Sequence, residues 1–236
     1  EVLVQSQRLD IYHRALIFLQ LAGDVYPCAC SRRDIAARTT RRSVDGAPHY
    51  PGTCRTGLAT GQAARAWRMR VPDQSFCVID RIQGELQQNL ERDVGDFILL
   101  RADGQYAYQL AVVVDDALQG VNAVVRGADL QDSTLRQIWL QQRLGLPSPS
   151  YAHLPVVVDA NGEKLSKQTK AAPVLPEMGV ATLTRALEFL GHRVPREVQA
   201  ATLADFWRWA MATWSSAKVP ALRSQPLRNE QGVSTG

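Results

Sequence analysis

The sequence lacks the long apolar runs that membrane proteins carry. No stretch of its 236 residues approaches the ~20 consecutive apolar residues that a membrane-spanning helix needs. The printed sequence also lacks the basic segment followed by an apolar one that is typical of a secretory leader. We therefore predict a cytoplasmic protein that has no membrane partner.

Internal repeats and low-complexity segments are missing as well. Hydrophobic residues make up 45% of the chain, and a chain of this length and composition can bury a substantial core. We predict a globular protein that consists of one large domain, or of one domain with smaller appendages.

The chain has little excess charge. A net charge of +4 and an isoelectric point near 9.0 permit an anionic partner such as nucleic acid without requiring one. Arginines nevertheless crowd the first third of the chain, at Arg32, Arg33, Arg38, Arg41, Arg42, Arg55, Arg65, Arg68 and Arg70. They indicate a surface that faces phosphate groups, although a solvated basic face is the more common explanation for such a cluster.

Cysteine is scarce, and the four thiols are those of Cys28, Cys30, Cys54 and Cys77. Nothing in the sequence indicates secretion, so we expect reduced thiols rather than disulfides. The first two cysteines precede a short predicted helix with a capping box, a polar loop that contains glycine and proline, and then the third cysteine. Two close ligands, a loop and a further ligand are the layout of a structural metal site.

A zinc ion at this site needs four nitrogen, sulfur or oxygen ligands in a tetrahedron. The first three cysteines supply three, and the fourth must come from His49, Tyr50 or Cys77. By chemistry alone we favour His49, because a tyrosine with a reference pKa of ~10 must be ionised by the metal. The alternative is three thiols that are close in sequence and bind no metal.

Residues 106–130 hold two strongly apolar runs that end in charge. The first run ends at Asp115 and Asp116, and the second ends at Arg126. An arginine at the end of a buried run lies where ligands enter an open α/β sheet, so Arg126 is a candidate ligand contact. The alternative is that Arg126 pairs with one of these two carboxylates or with Asp129. Periodicity alone does not distinguish helix from strand in the first run.

Two lysines follow the last apolar run. Residues 153–158 are predicted to form a strand, and a tight turn then leads to Lys164, Ser166 and Lys167. Two ammonium groups that flank a hydroxyl form a cationic site suited to polyphosphate, in which Ser166 donates a further hydrogen bond. The alternative is an ordinary solvated loop.

Apolar periodicity predicts the remaining elements. The first helix should begin with Ser6 as its cap, bury one face and end at Gly23. Residues 133–144 should form a second helix, and two amphipathic helices should follow residue 182. Further strands are predicted at residues 66–71, 75–79 and 96–100.

Several of these segments also resemble a known family. KLSKQ resembles the KMSKS signature of class I aminoacyl-tRNA synthetases, and YQLAVVVDDALQGVNAVVRGADL resembles their glutamyl and glutaminyl branch. Within that branch the chain is most similar to the glutamyl-Q tRNA(Asp) synthetase family. The likeness extends from VQSQR through CAC, YPGTC and HLPVVVDANGEKLSKQ to the helix that ends at Gly191.

The resemblance implies a Rossmann-type α/β catalytic domain in which Tyr108 and Arg126 contact glutamate. It implies that Lys164, Ser166 and Lys167 bind ATP, with both lysines stabilising charge during the reaction. The segment from Tyr108 is helical in this family, which would place the side chains of residues 108, 112 and 115 on one face.

The resemblance also implies a zinc site made by Cys28, Cys30, Tyr50 and Cys54, which replaces our chemical preference for His49. It divides the chain into a remainder of the first Rossmann half (1–24), a zinc-bearing insertion of acceptor-binding type (25–102), a second Rossmann half with the KLSKQ loop (103–172) and a helical region (173–236). The family's HIGH-type motif is not in this sequence, so we expect it to precede Glu1.

The implied reaction is attack by the α-carboxylate of glutamate on the α-phosphate of ATP, with Mg²⁺, giving glutamyl-adenylate. Transfer to the queuosine base of tRNA(Asp) follows. We expect a monomer that is inactive without the HIGH segment. The alternatives are a truncated glutamyl-tRNA synthetase and a non-catalytic, zinc-containing tRNA-binding fragment. The chain continues for only 68 residues after Gln168, which favours the glutamyl-Q family.

Overall fold

Helices and strands are interspersed along the chain in the computed structural model, which describes residues 2–165 and 179–227. The helices in these ranges are α1 (Leu9–Leu21), α2 (Arg32–Arg38), α3 (Tyr108–Leu118), α4 (Thr134–Leu144), α5 (Gly179–Phe189), α6 (Arg196–Gln199) and α7 (Leu203–Thr213). The strands are β1 (Val25–Cys28), β2 (Ala66–Met69), β3 (Ser75–Asp80), β4 (Gly84–Asn89), β5 (Phe97–Leu100), β6 (Ala123–Gly127), β7 (Ser150–Leu154), β8 (Val156–Val158) and β9 (Ser224–Pro226). The predicted α/β class is confirmed.

The strands form three sheets. An antiparallel sheet has the order β1-β2-β5, with Val25 opposite Met69 and a register shift between Trp67 and Arg68. A second sheet has the order β4-β3-β7-β6, in which β3 and β7 run parallel. The third sheet is the parallel pair β8 and β9.

The chain divides into two units. The first consists of Glu1–Val78, Glu85–Val124 and Asp132–Ser150, and the second of Ile79–Gly84, Val125–Gln131 and Tyr151–Gly236. The four-part division expected from the sequence stays a prediction. No helix within the described ranges is long and apolar enough to cross a membrane.

The first helix of the first unit largely follows the prediction. α1 buries Tyr12, Leu16 and Leu19, whose spacing places them on one face. The predicted cap was wrong, because Ser6 lies in a 3-10 turn and Arg8 occupies the cap position instead. The chain leaves the helix through Gly23, whose φ of 74° favours glycine.

Helix α3 confirms the helical segment that the resemblance implied. Its Asp115 is buried and accepts hydrogen bonds from Gln5 Nε2 (3.1 Å), Arg8 Nε (2.9 Å) and Tyr12 Oη (2.7 Å). The carboxylate therefore ties the N-terminal segment to α3. Burial, reinforced by the bond to Asp115, raises the pKa of Tyr12 to about 12, which keeps its hydroxyl available as the donor.

The predicted strand over residues 153–158 was wrong in one respect. β7 ends at Leu154, and β8 begins only at Val156. Pro155 separates them, since it has no N–H to donate to a strand ladder. The chain then pairs with a different strand, with Val156 opposite Ser224 of β9.

The C-terminal part of the second unit is helical between Gly179 and Thr213. Its core consists of Val194, Phe206 and Ala210, against which side chains of α5 and α6 pack. Phe206 is fully buried, whereas Trp207 and Trp214 are 47% and 45% exposed. The aromatic residues of α7, and Trp214 directly after it, are therefore only partly core residues.

Candidate functional site

Three thiols meet in the first unit, as the cysteine spacing predicted. The Sγ atoms of Cys28, Cys30 and Cys54 all lie within 4.8 Å of one another, and the first and third of these residues are buried. Strand β1 delivers Cys28, and the capping box of α2, in which Ser31 and Asp34 bond each other's backbone N–H, fixes the turn after Cys30. The arrangement can hold a metal ion.

The Tyr50 hydroxyl completes a four-atom cluster with these thiols. It lies 3.4 Å from Cys28 Sγ and 3.9 Å from Cys30 Sγ, and Cys30 Sγ lies 3.7 Å from Cys54 Sγ. In a tetrahedral zinc site with ordinary bond lengths, neighbouring sulfur atoms are about 3.8 Å apart and sulfur and oxygen about 3.5 Å apart. The observed distances fit this geometry.

His49, our preferred ligand on chemical grounds, is engaged elsewhere. Its Nε2 lies 2.7 Å from the carbonyl oxygen of Glu91, and its ring fills the space beside Gly95, where an added Cβ would lie 3.0 Å from Nε2. Cys77, the other rival, is exposed on β3 and is not part of the thiol cluster. The geometry favours Tyr50 as the fourth ligand.

A buried arginine lies against this cluster. Arg68 donates from Nε to Cys28 Sγ (3.4 Å) and from Nη1 to the carbonyl oxygen of Asp96 (2.8 Å), and its guanidinium carbon lies 3.8 Å from the centre of the Tyr50 ring. Burial raises the pKa of the Cys30 thiol to about 11 and also raises the pKa of the Tyr50 phenol. Both groups therefore need nearby positive charge in order to ionise near neutral pH.

The second unit contains Arg126, the penultimate residue of β6, in the place predicted at the end of the apolar run. Its Nε donates to Nε2 of His153 (3.0 Å) and its Nη2 to the carbonyl oxygen of Leu130 (3.3 Å). Its guanidinium carbon lies 5.4 Å from the centre of the Tyr151 ring. Of the carboxylates considered as partners, Asp115 accepts from Arg8 and Asp129 accepts from Lys164.

His153 is itself held by a carboxylate. Its Nδ1 lies 2.6 Å from Asp80 Oδ2, and both side chains are completely buried. Burial lowers the pKa of His153, and the charges of Arg126 and Arg223 lower it further, while the bond to Asp80 opposes them. Burial also disfavours the Asp80 carboxylate, but hydrogen bonds from the backbone of Gln83 and Ile82 and from His153 lower its pKa overall. The pair is therefore a neutral imidazole beside an ionised carboxylate.

The sequence did not reveal Asp80 or His153 as site residues. They are 73 positions apart and meet because β3 and β7 pair in parallel, with Asp80 opposite Tyr151. A histidine in a largely apolar stretch was the available signal, because a buried imidazole needs polar partners.

The remaining predicted residues have less defined surroundings. Tyr108, the first residue of α3, is 48% exposed in the first unit. Lys164 Nζ lies 2.5 Å from Asp129 Oδ2 in an exposed ion pair of the second unit. Ser166 and Lys167 lie outside the described residues, so their roles stay predictions.

Comparison with known proteins places these features in a family context. The family "tRNA synthetases class I (E and Q), catalytic domain" matches residues 1–181. The glutamyl-Q tRNA(Asp) synthetase of Dechloromonas aromatica (strain RCB) is 55% identical over 219 residues, which cover 93% of this chain and 73% of that protein. The glutamyl-Q tRNA(Asp) synthetase of Thiobacillus denitrificans (strain ATCC 25259 / T1) is 54% identical over 221 residues, which cover 93% and 72%.

Solved structures show the same fold. The crystal structure of glutamate-tRNA synthetase from Elizabethkingia anophelis matches with a TM-score of 0.70 and 20% sequence identity over 92% of this chain. The match covers 51% of that protein, so the chain spans about half of its length.

Proposed function

Because the chain belongs to the catalytic-domain family of the class I glutamyl- and glutaminyl-tRNA synthetases, we propose that it activates glutamate with ATP and transfers the glutamyl group to the queuosine base of tRNA(Asp). The observation that carries the proposal is the 55% identity, over 93% of the chain, to a protein named for this activity. The position of Arg126 at the carboxyl end of β6 supports it, since substrates of open α/β sheets bind there.

Arg126 binds a carboxylate of glutamate in this proposal. A guanidinium offers several N–H donors in a planar fork, which matches the two oxygens of a carboxylate. His153, a neutral acceptor, holds Arg126 Nε without cancelling its charge. Tyr108, which is half exposed at the start of α3, contributes a hydroxyl to the same substrate.

The lysines serve ATP in this proposal. Lys167 and Ser166 bind the triphosphate. Lys164 also binds it after its ion pair with Asp129 breaks, which the exposed position of that pair allows. The reaction creates negative charge on the phosphate oxygens as the α-carboxylate of glutamate attacks and pyrophosphate leaves. Ammonium groups placed beside those oxygens, together with Mg²⁺, stabilise that charge.

Cys28, Cys30, Cys54 and Tyr50 hold a zinc ion in this proposal. Their mutual distances fit a tetrahedron, and a metal with four protein ligands has no open position for substrate. Bound zinc would therefore cross-link β1 to the loop that contains residues 50–54 and take no part in the chemistry.

The test is exchange of pyrophosphate into ATP by the complete gene product, with glutamate and without tRNA. We expect exchange, and we expect labelled glutamate to reach tRNA(Asp) only when the tRNA carries queuosine. A strict requirement for tRNA in the exchange, with transfer to tRNA(Glu), would show a glutamyl-tRNA synthetase instead. Binding of tRNA without exchange would show the non-catalytic alternative.

A further inference from the structure

The hydrogen bonds around His153 determine which of its ring nitrogens carries the proton. Nε of an arginine always bears a hydrogen, so the contact of 3.0 Å between Arg126 Nε and His153 Nε2 requires a bare, accepting Nε2. The proton of the neutral ring is then on Nδ1, from which it is donated to Asp80 Oδ2 at 2.6 Å. Arg126 thus donates to His153, and His153 in turn donates to the Asp80 carboxylate.

Asp80 is fixed at the far end of these two hydrogen bonds. Its Oδ1 accepts backbone N–H groups from Ile82 (2.9 Å), Gln83 (2.8 Å) and His153 (3.2 Å). These donors leave Oδ1 no freedom to exchange places with Oδ2, so Oδ2 faces the imidazole in a single orientation. The turn after β3 therefore sets the tautomer of a histidine in β7.

We propose that Asp80 and His153 are positioning residues for Arg126: they orient its guanidinium for the carboxylate of the amino acid substrate. This inference rests on the proposed function, in which Arg126 binds glutamate. His153 accepts a hydrogen bond from Arg126 Nε, and the Leu130 carbonyl oxygen accepts one from Arg126 Nη2 at 3.3 Å. The Tyr151 ring faces the guanidinium. Tyr151 and His153 stack with an interplanar angle of 5°, so two side chains on one face of β7 contact the guanidinium.

The choice of a histidine next to Arg126 has a chemical consequence. A carboxylate in contact with Arg126 would orient the guanidinium but neutralise it. A neutral imidazole accepts the same hydrogen bond and does not itself neutralise the guanidinium. The negative charge of Asp80 is one ring further away and is already engaged by backbone N–H groups.

The substitution Asp80→Asn tests this arrangement with little change in shape. The three backbone donors would keep the amide oxygen in the place of Oδ1, so the amide NH₂ would face His153 Nδ1. His153 would then carry its proton on Nε2. Two N–H donors, those of His153 Nε2 and Arg126 Nε, would face each other, and their hydrogen bond would be lost. An isosteric change thus forces the wrong tautomer.

The measurement is the KM for glutamate in ATP–pyrophosphate exchange by the complete gene product. We expect Asp80→Asn to raise this KM by about tenfold or more, the usual effect of losing a hydrogen bond to a charged group. The KM for ATP should stay within about twofold, because the ATP contacts are separate. Asp45→Asn is the control, since it alters a carboxylate of the first unit that pairs with Arg136 at 3.0 Å.

A double-mutant cycle separates positioning from general destabilisation. Asp80→Asn should add little to Arg126→Ala, because its effect passes through Arg126. His153→Gln should retain more glutamate affinity than His153→Leu, since both remove the imidazole and only glutamine offers Arg126 an acceptor. If Asp80→Asn fails to fold, the comparison of KM for glutamate between His153→Gln and His153→Leu tests the positioning role instead.

The outcomes distinguish the role of Arg126 from the roles of Asp80 and His153. An unchanged KM for glutamate in Arg126→Ala would remove the proposed role of Arg126 and, with it, the positioning roles of Asp80 and His153. A raised KM in Arg126→Ala, combined with a normal KM in Asp80→Asn or with equal values in the two His153 variants, would overturn the positioning role alone. An equally large effect of Asp80→Asn in the Arg126→Ala background would do the same.

Discussion

The two candidate sites differ in where their positive charge comes from. In the second unit the cation is a side chain of the chain itself, since Arg126 is bonded to His153, which in turn is bonded to Asp80. In the first unit three thiols and the Tyr50 phenol gather in a buried cluster, and Arg68 is the guanidinium that touches it. The site in the second unit contains its own cation, Arg126, whereas the thiol cluster of the first unit is suited to a metal ion.

The acidic groups of the two sites also differ in the direction of their pKa shifts. The Asp80 carboxylate ionises readily because hydrogen-bond donors surround it, and its pKa is lowered. The pKa values of Cys30 and Tyr50 are raised by burial, so these groups are poor anions without a metal. We therefore expect the stability of the first unit to depend on a bound ion, and we predict no such dependence for the described part of the second unit.

The largest expected effect is that of removing the metal. Cys54→Ser should abolish zinc binding and destabilise the first unit by on the order of 5 kcal/mol or more, because the free energy of binding a structural zinc ion is free energy of folding. Elemental analysis measures the zinc, and hydrogen exchange locates the loss of protection. We expect loss in β1 and β2 and normal protection in α5 and α7.

Cys77→Ser is the matched control for this experiment. Its thiol is exposed and lies outside the cluster, so the variant should keep its zinc and its protection. Equal protection of the first unit with and without zinc would remove the distinction between the two units.

The next effect concerns the fourth ligand. Tyr50→Phe should lower zinc affinity by more than about 100-fold, since even outer partners of metal ligands change affinity by 10- to 100-fold. His49→Ala should retain the affinity but lose about 1–3 kcal/mol of stability with the bond to the Glu91 carbonyl. Competition with a chromogenic chelator measures both affinities, and the opposite ranking would restore His49 as the ligand.

A smaller effect should follow from Arg68→Met. This variant removes the guanidinium beside Cys28 and Tyr50 but keeps an unbranched apolar side chain. We expect zinc affinity to fall by about tenfold, the lower part of the range for outer partners of ligands. Arg70→Met is the control, because Arg70 lies over Tyr26, which is no candidate ligand. Equal affinities in the two variants would show that Arg68 only packs against the cluster.

Local features of the sequence were sufficient to predict some of these residues. The spacing of Cys28, Cys30 and Cys54 predicted the thiol cluster, and the charge at the end of an apolar run marked Arg126. The capping box at Ser31 was confirmed as well. Each signal lies within a short stretch, so it could be read without the fold.

Other features depend on contacts between distant segments. His49 and Tyr50 are neighbours in sequence, and residue chemistry favoured His49 whereas the family resemblance favoured Tyr50. The contact that engages His49 away from the thiols is with the Glu91 carbonyl, 42 residues further along the chain. Asp80 and His153 meet through a parallel strand pair. Residue type and spacing cannot encode such partners, because the pairing of the strands determines them.

The smallest expected effect is a pH dependence of the second unit. His153 is flanked by Asp80, Arg126, Arg223 and the Tyr151 ring, and its pKa is lowered from the ordinary 6.5. Below pH 6.5 the unfolded chain therefore binds a proton at this position that the folded chain does not bind. Stability should fall with decreasing pH, by up to about 1.4 kcal/mol per pH unit, until the pH reaches the lowered pKa.

Asp80 acts in the same direction at lower pH, below its ordinary 3.8, because its pKa is also lowered. His153→Gln removes the titrating ring, so its unfolding free energy should depend less steeply on pH between 6.5 and 5 than that of the unsubstituted protein. Urea unfolding at a series of pH values, followed by tryptophan fluorescence, measures the difference. Parallel curves for the two proteins would mean that His153 is protonated as easily in the folded state as in the unfolded one, and that its pKa is not lowered.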